Sequence, residues 1–189
     1  MSARRTWLVL GLSAVLLCAG FPSVHGQTST TAVPPRLNNW LASPKLMGQQ
    51  RFTYWGFAVY DASLWANTSF ASLEWAQHAL VLELRYLRDF KGADIAQRSI
   101  DEMHGQRALS ATQTQNWSAQ LRQLIPNVRE GERLTGVYTP YKSLQLFHQD
   151  QLVGEVRDGE LAQRFMGIWL APETSQRQLR LQLLAGAQP

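Results

Sequence analysis

Hydrophobic positions recur along this chain in two periods, and the switches between them outline a fold. Residues 51–65 are nearly all aromatic or β-favouring, from Arg51-Phe52-Thr53-Tyr54 to Ser63-Leu64-Trp65, with one break at Gly56. The run predicts a long strand or a bent pair with at least one buried face, and Gly56 at a bulge or close approach. Leu80, Leu82, Leu84 and Tyr86 alternate with Val81, Glu83, Arg85 and Leu87, the pattern of a half-buried strand. The period then changes. After Lys91-Gly92, Ile95, Ser99, Ile100 and Met103 share one helical face, while Asp94, Gln97, Arg98, Asp101 and Glu102 occupy the other. Trp117, Leu121 and Leu124 mark a second helix over 112–124, stopped by Pro126. Strands return at 133–139, 143–148 and 152–156. Asp158 can cap a helix lined by Leu161, Phe165 and Ile168, which Pro172 ends. A last helix starts at Ser175 and presents Leu179, Leu183 and Leu184, with Gly186 past its end. Strands, helices, strands, helices is an α+β order. It predicts a large, mainly antiparallel sheet with helices packed on one face, and not a βαβ repeat.

The N-terminus reads differently. Arg4 and Arg5 precede an apolar run from Trp7 to Ala19, then Pro22 and the small-residue stretch to Gly26. The run is too short for the roughly 20 residues of a spanning helix, so residues 1–26 are expected to be a cleaved secretory signal. Leu17 before Cys18 argues against lipidation at that cysteine. Residues 27–36, polar and proline-containing, are expected to be a flexible linker, and 37–189 one domain. This division changes the charge balance. The formal net charge of +4 falls by two without Arg4 and Arg5, and no basic stripe remains for nucleic acid. Cys18 is the chain's one cysteine and leaves with the signal, so core packing alone must hold the mature domain. The expected location is periplasmic or secreted, with no stable membrane span after cleavage.

The candidate chemistry is sparse. His78, His104 and His148 have no ligand spacing, so no metal site is expected and surface histidines are the plainer reading. No nucleophile elbow, phosphate loop or dinucleotide fingerprint occurs, and no cofactor is expected. Asp101 and Glu102 read as a solvated pair on an exposed helix face. Arg85 and Arg88 flank Tyr86 on opposite faces of a strand, where a structural ion pair is the plainer reading. Arg51 differs because its neighbours are aromatic. A cation beside apolar surface needs an anion or a hydrogen-bond partner, so it meets either a structural carboxylate or an anionic, apolar ligand.

Several motifs together are similar to a known family. Gly48-x-x-Arg51-Phe52, the run Trp55 to Trp65, Leu84-Arg85-Tyr86, the stretch Pro126 to Leu134 and Gly167-Ile168-Trp169-Leu170-Ala171-Pro172 resemble the bacterial chalcone isomerase-like proteins, in the same order over about residues 40–185. The resemblance implies an α+β fold with a cleft between a large antiparallel sheet and its helices. Plant enzymes of this kind cyclise a chalcone, using an arginine, a threonine, a tyrosine, a lysine and an asparagine. Related non-catalytic members bind fatty acids through an arginine and a tyrosine. Arg51 matches the arginine. Trp55 falls in the threonine's place, Asp94 or Ile95 in the tyrosine's, and Arg98 and Glu102 near the lysine and asparagine, so the plant catalytic set is not reproduced.

The expectation is therefore a chalcone isomerase-like domain of the cell envelope that binds a small apolar carboxylate such as a fatty acid, without a known catalytic set. Arg51 would hold the anion, and Tyr54, Trp55, Phe57 and Tyr60 would form or back the aromatic wall. Two alternatives stay open: an intramolecular lyase or isomerase of the same fold, and an envelope structural or interaction module.

Overall fold

The computed structural model describes residues 32–188. The expected signal segment lies outside them. Six strands, β1 (Pro44–Tyr54), β2 (Phe57–Asn67), β3 (Leu80–Tyr86), β4 (Arg133–Thr139), β5 (Ser143–His148) and β6 (Gln151–Val156), form one sheet in chain order. Every neighbouring pair is antiparallel. Helices α1 (Gly92–Gln106) and α2 (Ala111–Leu124) are inserted between β3 and β4, and α3 (Gly159–Leu170) and α4 (Arg177–Leu183) follow β6.

The chain makes the sheet's first hairpin more sharply than the sequence suggests. Tyr54 pairs with Phe57, and the two residues between them take positive φ, 51° at Trp55 and 79° at Gly56. That is the geometry of a type I′ turn, whose twist suits a tight hairpin. Gly56 is therefore a turn residue, with no atom near where its Cβ would lie, and not a bulge. The register irregularities fall instead between Leu46 and Gly48 and between Phe52 and Thr53. The expectation of a buried aromatic face holds only in part, because Tyr54, Trp55 and Phe57 project into solvent at the tip.

The inner face of the sheet carries Ala62, Leu64, Leu82, Leu84, Leu134, Tyr138, Leu144 and Leu146 into one core with α1, α2 and α3. Leu64 and Leu144 are fully buried, each worth about 1.5–3 kcal/mol relative to exposure. The helices start where their caps dictate. Ser110 Oγ accepts from the Gln113 amide at 3.1 Å while Gln113 Oε1 accepts from the Ser110 amide at 3.0 Å, a reciprocal cap that fixes the start of α2. Asp158 Oδ1 accepts from the Glu160 and Leu161 amides, and Asp158 Oδ2 accepts from Trp117 Nε1 at 3.0 Å, tying α3 to α2. Gly92 starts α1 against the loop after α2, where a Cβ would lie 2.0 Å from the Ile125 carbonyl oxygen.

β3 is buried on both faces, not one. Only Arg85 among its residues is exposed. The cause is a short 3-10 turn, Pro35–Asn39, that lays Leu37 and Leu41 over Trp65, Val81 and Val137 on the outer face. Arg36 is drawn in by an ion pair with Glu83.

Candidate cavity between sheet and helices

A cavity of about 310 Å³ lies between the inner face of the sheet and α1 and α3. Such a volume is at the small end of ligand pockets. Its floor is Leu82, Leu84, Leu134, Gly136 and Leu146 from consecutive strands, all facing the helices because residues two apart on a strand share a face. Gly136 leaves space that a side chain would fill. The roof is Phe165, Met166 and Trp169 from α3, with Ile95 and Ser99 from α1.

Polar atoms enter at a few places. Trp169 Nε1 donates to Tyr60 Oη at 3.0 Å, joining α3 to β2 across the cavity. That bond leaves the Tyr60 hydroxyl proton free to be donated. Burial pushes the Tyr60 phenol well above its ordinary value, against the smaller stabilising pull of Trp169. Tyr86, edge-on to Tyr60 at 5.8 Å, is pushed up by burial and then by the neighbouring Tyr60. Both phenols therefore stay neutral donors at physiological pH. At the mouth, Arg98 Nη2 donates to Glu102 Oε1 at 2.5 Å, and Ser175 Oγ donates to Glu102 Oε2 at 2.7 Å. The Arg98 guanidinium stands 5.4 Å from the Tyr54 ring centroid. It is the one cation among the described residues that line the cavity.

The residues singled out from the sequence divide between three places. Tyr54 and Tyr60 line the cavity, and Phe52, stacked on Tyr60 at 5.0 Å, joins them. Trp55 and Phe57 stand outside it on the hairpin tip. Arg51 is on the opposite face of the sheet. Its Nε donates to Asp61 Oδ1 at 2.7 Å and its Nη2 to Oδ2 at 3.0 Å. The cross-strand partner in register supplies the anion that Arg51 requires. The Arg51 guanidinium is held above its ordinary value first by the hydrogen bond to Asp61, and the Asp61 carboxyl is held below its own by the same bond.

From the sequence, Arg98 and Glu102 fall near the family's lysine and asparagine but on the polar face of α1, with Asp101 and Glu102 expected as a solvated pair. Glu102 is only 12% exposed at its side chain, while Asp101 beside it faces solvent. The available signal was their position at the margin of the α1 stripe, three residues after Ile95 and Ser99 respectively. Trp169 was missed, though it follows Phe165 by one helical turn. His148 is not isolated, since its Nε2 lies 2.8 Å from Glu132 Oε2. No group of three metal-binding side chains occurs among the described residues. No described helix is long and apolar enough to cross a membrane.

The family model described as chalcone isomerase-like matches residues 46–185. The chain belongs to the chalcone isomerase-like family. The match spans all six strands except the first two residues of β1, and all four helices. An uncharacterized protein of Haemophilus influenzae is 25% identical over 138 residues, which covers 73% of this chain and 66% of that protein, just under two thirds of its length. Among solved structures, a fatty-acid binding protein of Arabidopsis thaliana has the same fold, with a TM-score of 0.57 and 11% identity over 76% of this chain and 87% of the other. At that identity the likeness is one of architecture.

Proposed function

We propose that this chalcone isomerase-like domain binds, without transforming it, a small apolar molecule with one anionic head, such as a fatty acid. The observation that carries the proposal is an apolar cavity with the phenols of Tyr60 and Tyr86 in its wall and one cation, Arg98, beside the carboxylates of Asp94 and Glu102. An acyl chain fits walls of Leu, Phe and Met, and a carboxylate at the mouth meets Arg98. The bond to Glu102 uses one guanidinium N–H, which leaves the others for a second carboxylate. The structural likeness to a fatty-acid binding protein agrees with this reading. Arg98 takes the role that the sequence suggested for Arg51. A periplasmic or secreted location is part of the proposal and rests on the pattern of residues 1–26.

The test is native mass spectrometry of the protein purified from its own secretory compartment, followed by organic extraction. The expected result is a polypeptide beginning at Gln27 with an acid of defined mass. Arg98→Ala should lower affinity for that acid by on the order of tenfold to a hundredfold, the worth of a charged hydrogen bond, and barely change affinity for its methyl ester. Arg51→Ala should leave both affinities unchanged. Equal losses for acid and ester in Arg98→Ala would remove the carboxylate role.

A further inference from the structure

The β1–β2 hairpin tip exposes Trp55 by 84%, Phe57 by 62% and Tyr54 by 49%. Leu73, Tyr141 and Leu181 are exposed singly, and Leu152 and Val153 sit side by side on the edge strand β6; scattered apolar side chains need no explanation. This cluster is different in kind. A two-residue turn with both φ positive favours Asn-Gly, yet Trp55 holds φ 51° there with its ring in solvent. Tyr141 at the β4–β5 turn is also exposed with positive φ; what sets the β1–β2 tip apart is that three exposed aromatic side chains are grouped there.

Two guanidiniums lie against rings of the tip, one of them, Arg98, paired with Glu102. Arg88 lies 5.1 Å from the Phe57 ring centroid and Arg98 lies 5.4 Å from that of Tyr54. Arg88 has no carboxylate partner among the described ion pairs. Trp and Tyr rings at a projecting tip, with arginines beside them, match the layering of a bilayer surface: amphipathic rings at the headgroup level and cations among the phosphates. The tip is also continuous with the cavity, since Tyr54 belongs to both.

We propose that the hairpin tip is a membrane-surface anchor, inserting Trp55 and Phe57 into the headgroup layer of an anionic bilayer and presenting the cavity mouth to the lipid phase. Contact with the bilayer follows from the tip alone. The use of that contact to load or unload an apolar acid rests on the proposed function above.

The experiment uses the mature chain and vesicles of phosphatidylethanolamine and phosphatidylglycerol, with binding read by co-sedimentation. The wild type should sediment with the vesicles, less so at high salt. Trp55→Ser/Phe57→Ser should lower the partition coefficient by on the order of tenfold or more, from two lost apolar anchors. Its thermal melt and its affinity for a fluorescent fatty acid without vesicles should be unchanged. A wild type that stays in the supernatant, or a double variant that sediments equally, overturns the proposal. So does a tip that captures a protein while ignoring vesicles. Brominated lipid gives a second reading: it should quench the wild type more than Trp55→Phe, and equal quenching counts against insertion. Vesicle binding without binding of the fluorescent acid would leave the anchor standing and remove the cavity reading.

Discussion

The inner and outer faces of the same strands are built from alternate residues, yet they treat polar groups in opposite ways. On the inner face Ala62, Leu82, Leu84 and Leu134 meet helices, and the polar groups among them include the phenols of Tyr60, Tyr86 and Tyr138 and the indole N–H of Trp169. On the outer face Asp61, Glu83, Arg85 and Arg133 occupy the intervening positions. There each charge tends to find an opposite one. Glu83 binds Arg36 and accepts from Trp65 Nε1 at 3.1 Å, and Arg133 reaches Asp150 at 2.6 Å. The contrast shows what decides an arginine's role. Arg51 has a carboxylate directly opposite it in strand register and is neutralised by its own fold. Arg98 is on a helix at the edge of the cavity, and its bond to Glu102 uses only one of its N–H groups.

The sharpest way to break the comparison is through the inner core. Leu144→Ala should cost about 2–5 kcal/mol, from lost burial plus a residual cavity, read by chemical denaturation. A cost below about 1 kcal/mol would mean that the inner face collapses around the gap. The outer network should be weaker but measurable. Glu83→Gln leaves Arg36 and Arg133 half-buried without their shared anion, and should cost about 2 kcal/mol given their partial exposure. A neutral result would show that Asp150 alone suffices for both arginines.

The mildest effect at neutral pH concerns the phenols. Tyr60 and Tyr86 both have native values raised above the ordinary 10.0. The unfolded chain loses these protons first as pH rises, so the folded state binds more protons above pH 10 and stability falls there. The contribution is complete below the unfolded value and is lost on rising through the native one. Phenolate absorbance should therefore show these tyrosines ionising only with alkaline unfolding. Their free titration near pH 10 in the folded protein would mean that the cavity is open to water.

Much of the framework was legible in the sequence. The α+β order, the strands over 133–139 and 143–148, and the Asp158 cap each depend on neighbours within one turn or one strand, and local periodicity reports those. The hairpin was half legible. Aromatic and β-branched residues declared strands on both sides of Gly56, but the turn type depends on two backbone angles, and Trp55 is not a residue that signals a positive one. Of the ligand contacts expected from the sequence, Tyr54 and Tyr60 line the cavity. Pattern along β1 says that Arg51 and Phe52 face opposite ways; it does not say which way is the cavity.

The sequence by itself determined the elements, because hydrophobic spacing is a property of residues close in the chain. Tertiary structure alone decided which arginine lines the cavity, that Leu37 and Leu41 would close the outer face, and that Trp169 would cross 109 positions to hold Tyr60. Those outcomes depend on register between strands and on the packing of α1 and α3, distances in space that no local period encodes.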